Sequence, residues 1–315
     1  MAEMVKKATR ESYGLALTEL GDKYPNLVVL DADLAEATKT IFFRRKFPDR
    51  FIDCGIAECN MIGVAAGLAA SGKIPFANSF AMFSAGRAFE QVRNSVGYPH
   101  LNVKIGGSHA GISVGEDGAT HQCLEDLALM RTIPGMVVLN PADHYEMQAA
   151  VRAAAAYQGP VYIRLGRLAV ESFNNNDDYH FEIGKGITLR DGKDITVIAT
   201  GLMVSRALEA VKDLEKQGID ARLINIHTLK PLDRELIVKA ARETGKVVTV
   251  EEHNVIGGLG DAVCSVLCEE CPTPVVKIGV NDVFGHSGPA LDLLEEFGLC
   301  ASHIEKVVKE FLARK

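Results

Sequence analysis

The chain has 315 residues, of which 47% are hydrophobic and 24% charged; this excludes wholesale disorder and suggests about two domains at roughly 150 residues each. The 34 Lys and Arg against 41 Asp and Glu leave a formal net charge of −7, so nothing attracts a phosphate backbone and a nucleic-acid role is disfavoured. No stretch reaches the about 18 apolar residues of a spanning helix, residues Met1 to Lys7 lack the apolar run of a signal peptide, and the seven cysteines read as reduced thiols of a cytoplasmic protein.

Taken in chain order, helical and strand patterns alternate. Lys6 to Tyr24 reads as an amphipathic helix, and Asn26 to Asp31 as a short buried strand ending in an acid. Phe51–Asp53 is a second strand, followed by a helix of small residues over Ala57 to Ala70. Further strands are predicted over Ile74–Asn78, Asn102–Gly106, Gly135–Asn140 and Val161–Leu165, with a helix from Asp143 to Tyr157. The polar stretch Asn174 to Asp178 begins a linker. Beyond it the pattern resumes. Strands are expected over Asp194–Ala199, Ala221–Ile226, Lys246–Val250 and Pro274–Ile278, and helices over Ser205–Gln217 and Ile304–Arg314. Strands alternating with helices imply parallel sheets covered on both faces. The fold class is therefore α/β with two domains, residues 1–180 and 190–315.

Several motifs admit a chemical and a plainer reading. Cys264, Cys268 and Cys271 have the spacing of an iron–sulfur triad, but that triad needs an exposed loop. Here Gly260 to Glu269 reads as a helix with Cys264 and Cys268 on its core face, so buried thiols are preferred. Gly111-Ile-Ser113-Val-Gly115 matches a serine-hydrolase elbow, yet Glu116 to His121 is no helix start. His109, Asp117 and His121 share one glycine-rich loop, where they suit either a metal or hydrogen bonds to a polyol or phosphate. His227 and His286 lack such company and are read as structural. Glu58 stands at the front of a helix of small and apolar residues. Desolvation there would raise its pKa and let it share a proton, whereas the helix N-terminus favours the charged form.

The segment Asp53-Cys-Gly-Ile-Ala-Glu58-Cys-Asn-Met61 resembles a signature of the transketolases. Asn78 to Phe83 with Arg87 to Arg93 resembles that family's aromatic cofactor loop, and Gly107 to Gln122 its substrate loop. Ile163 to Arg167 and Leu229 to Asp233 are similar to two further signatures, all in family order. The resemblance covers only the second half of a transketolase, a pyrimidine-binding domain plus a C-terminal domain. The Gly-Asp-Gly and Asn that hold a diphosphate through Mg²⁺ are not found. The resemblance therefore implies one subunit of a split transketolase, with Mg²⁺ ligands on an N-terminal-half partner. It implies homodimerisation through the pyrimidine domain and an α2β2 assembly; the net charge and the lack of a spanning run imply no nucleic-acid or membrane partner.

The resemblance also implies roles. Glu58 would hydrogen-bond the aminopyrimidine of thiamine diphosphate and promote proton removal from the thiazolium carbon. Phe83 would stack on the pyrimidine, Phe80 would line the same pocket, and Asp33 would lie near the thiazolium. His109, Arg10 and Arg167 would hold a sugar phosphate, and Asp117 and His121 the sugar hydroxyls. Three positions depart from the pattern: Cys59 stands for a Gln, Ala37 for a phosphate-binding Ser with Thr38 beside it, and Gly86 for an aromatic. Deoxyxylulose-phosphate synthases share the Glu segment but lack the His at position 109. The beta subunits of 2-oxo acid decarboxylases lack the substrate loop. A non-catalytic assembly partner would not need Glu58, Phe83, His109, Asp117 and His121 together.

Overall fold

A computed structural model of the chain describes residues 5–174 and 179–314. Residues 1–4, 315, and 175–178 of the expected linker lie outside the described residues. Two mainly parallel sheets dominate. The first orders its strands as Thr228–Lys230, Val137–Leu139, Val161–Arg164, Lys104–Ser108, Ile74–Phe80, Leu27–Asp31 and Phe51–Asp53. The second runs Val275–Val280, Val247–Asn254, Ile195–Ala199, Ala221–Asn225 and Ile187–Arg190. In each sheet one edge strand is antiparallel: Thr228–Lys230 against Val137–Leu139, and Ile187–Arg190 against Ala221–Asn225.

The central strands are buried along their whole length, as in Leu27–Asp31 and Ile74–Phe80. Strands covered on both faces read as unbroken apolar runs. The helix Thr9–Lys23 buries Tyr13, Ala16, Leu17 and Leu20, spaced to form one helical face. That face packs on the helix His144–Ala156 and on one side of the first sheet. On the same helix Gly14 lets the segment at Lys39 come close: a Cβ there would fall 2.3 Å from the Lys39 carbonyl oxygen. Asp143 caps the helix His144–Ala156 by accepting the Glu146 N–H at 3.0 Å, and the Glu146 carboxylate accepts the Ala142 N–H at 2.6 Å.

The structure corrects the sequence reading in places. Lys6–Ala8 is not helical; it pairs antiparallel with Ala169–Glu171, and the helix begins at Thr9. Cys264 and Cys268 do not share the core face of the helix Leu259–Glu270. Cys268 is exposed and Cys264 half-buried, while Ala262, Val263, Val266 and Leu267 fill the buried side. The second domain also reaches into the first. Its strand Thr228–Lys230 forms the edge of the first sheet, and Ile226, Leu229 and Ile237 share a hydrophobic cluster with Val138 and Tyr162.

The strands of the first sheet end on one side at Asp31, Asp53, Phe80, Ser108 and Arg164. Asp33, Glu58, Phe83, His109 and Arg167 follow those ends within a few residues. Open parallel sheets bind ligands at the carboxyl ends of their strands, and the candidate site lies there.

Candidate active site

Glu58 is the first residue of the helix Glu58–Ala70, and it is buried. Its Oε1 accepts the Ser79 hydroxyl at 3.3 Å, and its Oε2 accepts Arg87 Nη1 at 2.7 Å. Ser79 precedes Phe80 on the strand Ile74–Phe80, so one strand sets both the carboxylate and the aromatic wall. The chain then turns through two widened helical segments, Met82–Arg87 and Val92–Gly97. Helical turns of this kind are uncommon and recur at functional sites. At Gly86 the Met82 side chain fills the space a Cβ would take.

The rings form one cluster. Phe80 stacks on His109 with centroids 4.2 Å apart and lies 6.2 Å from Phe83. His121 meets Phe83 edge-on at 5.3 Å and Phe80 at 6.1 Å. His109 has a φ of 55°, a left-handed backbone rare outside glycine. Its Nδ1 shares a hydrogen bond of 2.9 Å with the Ser108 hydroxyl. Burial lowers its pKa to about 3, helped by the nearby charges of Arg10, Arg167 and Lys39. His109 is therefore neutral at physiological pH and fit to donate or accept one hydrogen bond.

Those cations define a second region. Arg10 donates to the Ala37 carbonyl at 2.8 Å and to the Arg167 carbonyl at 3.4 Å. Its pKa is lowered, first by burial and then by Arg167. Arg167 donates to the Val114 carbonyl and pairs with Glu116 at 2.7 Å. The loop carrying Ala37 is shaped by Asp31, which accepts the Leu34 N–H at 2.6 Å and the hydroxyls of Thr38 and Thr40 at 2.8 and 2.9 Å. The Thr38 hydroxyl is thus committed to Asp31 and buried; it does not replace the serine hydroxyl that Ala37 lacks. Lys39, next along with a φ of 67°, adds a cation instead.

Asp33, also left-handed at φ 62°, donates its N–H to Asp53 Oδ1 at 3.2 Å on the exposed lip of the site. Asp117 is exposed at the end of the 3-10 turn Ile112–Asp117. Among the described residues no group of three or more His, Cys, Asp or Glu side chains is placed to hold a metal ion. Ser113 is no hydrolase nucleophile. It is buried inside that turn, and its N–H donates to Glu252 Oε1 at 2.7 Å. His227 is buried against Phe181 and bonded to the Thr228 hydroxyl at 2.9 Å. His286 pairs with Glu296 at the surface.

Sequence reasoning missed Arg87, Lys39, Ser79 and Glu252. Arg87 lies within a quoted motif, and Lys39 follows the noted Ala37 and Thr38, so position alone could have flagged both. Glu252 comes from the distant strand Val247–Asn254, and only folding reveals it.

The arrangement is a buried Glu58 carboxylate held by Ser79 and by Arg87, whose guanidinium lies over the Phe83 ring, together with a ring cluster of Phe80, Phe83, His109 and His121 and three cations, Arg10, Lys39 and Arg167, whose charges bear on His109. The transketolase pyrimidine-binding domain family matches residues 5–172, and the transketolase C-terminal domain family residues 184–304. The chain belongs to the transketolase family. A solved split-gene transketolase described as an inactive beta4 tetramer is 55% identical, with a TM-score of 0.89 over 98% of this chain and 99% of that one. The 6-deoxy-6-sulfo-D-fructose transketolase subunit SqwH of Clostridium sp. is 47% identical over 97% of this chain and 95% of its own length. An apulose-4-phosphate transketolase subunit of Phocaeicola vulgatus is 40% identical over 98% of each chain. Human transketolase is 38% identical, and this chain spans 50% of its length. The particular kind is thus a transketolase subunit of the split type, and the family is one that uses thiamine diphosphate.

Proposed function

We propose that this chain is the cofactor-activating subunit of a thiamine diphosphate-dependent transketolase. It would move a two-carbon ketol unit from a ketose phosphate to an aldose phosphate. The observation that carries this is the buried Glu58 carboxylate, joined through Arg87 to the face of Phe83 in the Phe80, Phe83, His109 and His121 ring cluster, with the charges of Arg10, Lys39 and Arg167 bearing on His109. Residues of this kind suit an aminopyrimidine: a carboxyl for a ring nitrogen and aromatic faces for stacking. When bound, thiamine diphosphate supplies a carbon nucleophile and an electron sink.

Glu58 would hold a proton at the boundary between its carboxyl and the pyrimidine ring nitrogen. Phe83 would set the plane of that ring and Phe80 would close the pocket behind it. Asp33 would stand on the lip toward the thiazolium. Arg10, Arg167, Lys39 and neutral His109 would bind the anionic tail of a sugar phosphate. Asp117 and His121 would orient sugar hydroxyls. Mg²⁺ and the diphosphate would be held by an N-terminal-half partner, in a cytoplasmic α2β2 assembly paired through the pyrimidine-binding domains. Pentose phosphates are the default sugars; the sulfofructose and apulose relatives mark specialised alternatives within the same chemistry.

The test is reconstitution. The chain alone with thiamine diphosphate and Mg²⁺ should transfer no ketol units, and adding the partner subunit should switch activity on. Robust turnover by the chain alone would overturn the split arrangement.

A further inference from the structure

Arg87 makes two contacts, and each falls on a group that the proposed cofactor site needs. Its Nη1 donates to Glu58 Oε2 at 2.7 Å. Its guanidinium carbon lies 4.4 Å from the centroid of the Phe83 ring. The Glu58 side chain is 2% exposed and that of Arg87 is 49% exposed. The carboxylate is therefore enclosed by protein, and the cation reaches it from the solvent side. An enclosed carboxylate is costly unless it is paired, and Ser79 offers only one long hydrogen bond, at 3.3 Å. Arginine suits the place because a planar guanidinium can pair with a carboxylate and stack on an aromatic ring at once.

An aminopyrimidine has the same two attributes: it is flat, and its ring nitrogen can meet a carboxyl group. We infer that Arg87 is a stand-in for the aminopyrimidine of the cofactor. The two are alternative occupants of the Glu58 carboxyl and the Phe83 face, and the guanidinium swings into solvent when the ring binds. This rests on the thiamine diphosphate reading above. The local backbone fits the role. Arg87 ends the widened turn Met82–Arg87, directly after Gly86. The Cys59 thiol approaches its carbonyl at 3.7 Å, which ties the backbone to the Glu58 helix while the side chain faces solvent. Cofactor affinity is then a difference, since the ring gains Glu58 and Phe83 only as Arg87 gives them up.

The experiment is a calorimetric titration of thiamine diphosphate, with Mg²⁺ present, into the complex of this chain with its N-terminal-half partner. Arg87→Met removes the competitor, so Kd should fall about ten-fold, the scale of one charge-assisted hydrogen bond. Without cofactor its Tm should drop, because Glu58 loses its partner, and cofactor should restore it. Arg87→Lys keeps the charge but loses the flat stack, and its Kd should lie between the two. If Arg87→Met does not assemble, Arg87→Lys carries the test with the same direction of change. A Kd unchanged or raised in whichever variant assembles overturns the inference and makes Arg87 a permanent partner of Glu58. A wild-type complex that binds no thiamine diphosphate overturns the underlying reading, and the inference with it.

Discussion

The Glu252 carboxylate, on the C-terminal strand Val247–Asn254, accepts the N–H of Ser113 at the heart of the loop from Gly107 to Gln122. The same loop passes so close that a Cβ on Gly111, at φ 89°, would fall 2.2 Å from Glu252 Oε1. Gln122 adds a second tie by donating to the His286 carbonyl at 2.9 Å. The C-terminal domain therefore sets the shape of a loop whose proposed task belongs to the first domain.

Glu252→Ala should accordingly cost stability and substrate affinity together. It leaves a buried N–H unpaired, a penalty of about 1–3 kcal/mol. Glu252→Gln keeps an acceptor oxygen and should recover most of both. Thermal unfolding and the acceptor KM of the assembled enzyme check this; a normal KM in Glu252→Ala would detach the loop's geometry from binding.

Glu58→Gln should leave the chain folded and cofactor-binding while slowing proton removal by about 10²–10⁴, the usual range for a general acid–base group. Gln is close to isosteric but has no proton to share. Deuterium exchange at the thiazolium carbon in the assembled enzyme is the measurement. Exchange at the wild-type rate would reduce Glu58 to a helix-start carboxylate.

His109→Ala and Arg167→Ala should raise KM for phosphorylated sugars more than for unphosphorylated analogues. Each removes one hydrogen bond to a charged group, worth about 1.5–3 kcal/mol. Equal losses on both substrate types would count against an anion-binding role.

Glu146 provides a pH prediction. It is buried, and its carboxylate accepts Tyr179 OH at 2.5 Å, Asn225 Nδ2 at 2.8 Å and the Ala142 N–H. Burial raises its pKa from 4.5 to about 7 despite those donors. Between those two values the folded state binds more protons than the unfolded one. Its contribution to stability is therefore complete below pH 4.5 and declines as pH climbs toward 7. Glu146→Gln should flatten that part of the curve in urea unfolding followed from about pH 5 to about pH 7.5. An unchanged slope would show that Glu146 does not titrate there.

Much of this was legible in the sequence where burial leaves a local mark. Leu27–Asp31 and Ile195–Ala199 are apolar runs because helices cover both faces. Glu58 and His109 stood in motifs, so their positions were readable, but their partners were not. Lys6–Ala8 owes its extended form to Ala169–Glu171, far along the chain, and local periodicity cannot register that pairing. The widened turns Met82–Arg87 and Val92–Gly97 follow no hydrophobic period. The Arg87–Glu58 pair and the commitment of Thr38 to Asp31 are products of tertiary packing.

The strand Thr228–Lys230 bears on how the protein can be divided. It pairs with Val137–Leu139, the His227 carbonyl accepts the Asn140 N–H at 2.9 Å, and Lys230 Nζ donates to the carbonyls of Arg131 and Ile133. A recombinant fragment ending before this strand would bare the edge of Val137–Leu139, with its backbone groups open to another molecule. Such a fragment is a template for sticky, edge-to-edge association rather than a miniature of the first domain. A fragment beginning at the second domain would carry Thr228–Lys230 with nothing to pair against. The two halves are separate sheets but one folding commitment: a cut just after residue 230 would in turn strip Ile195–Ala199 of its partner Val247–Asn254, so useful surgery on this protein would keep residues 5–314 on the same piece.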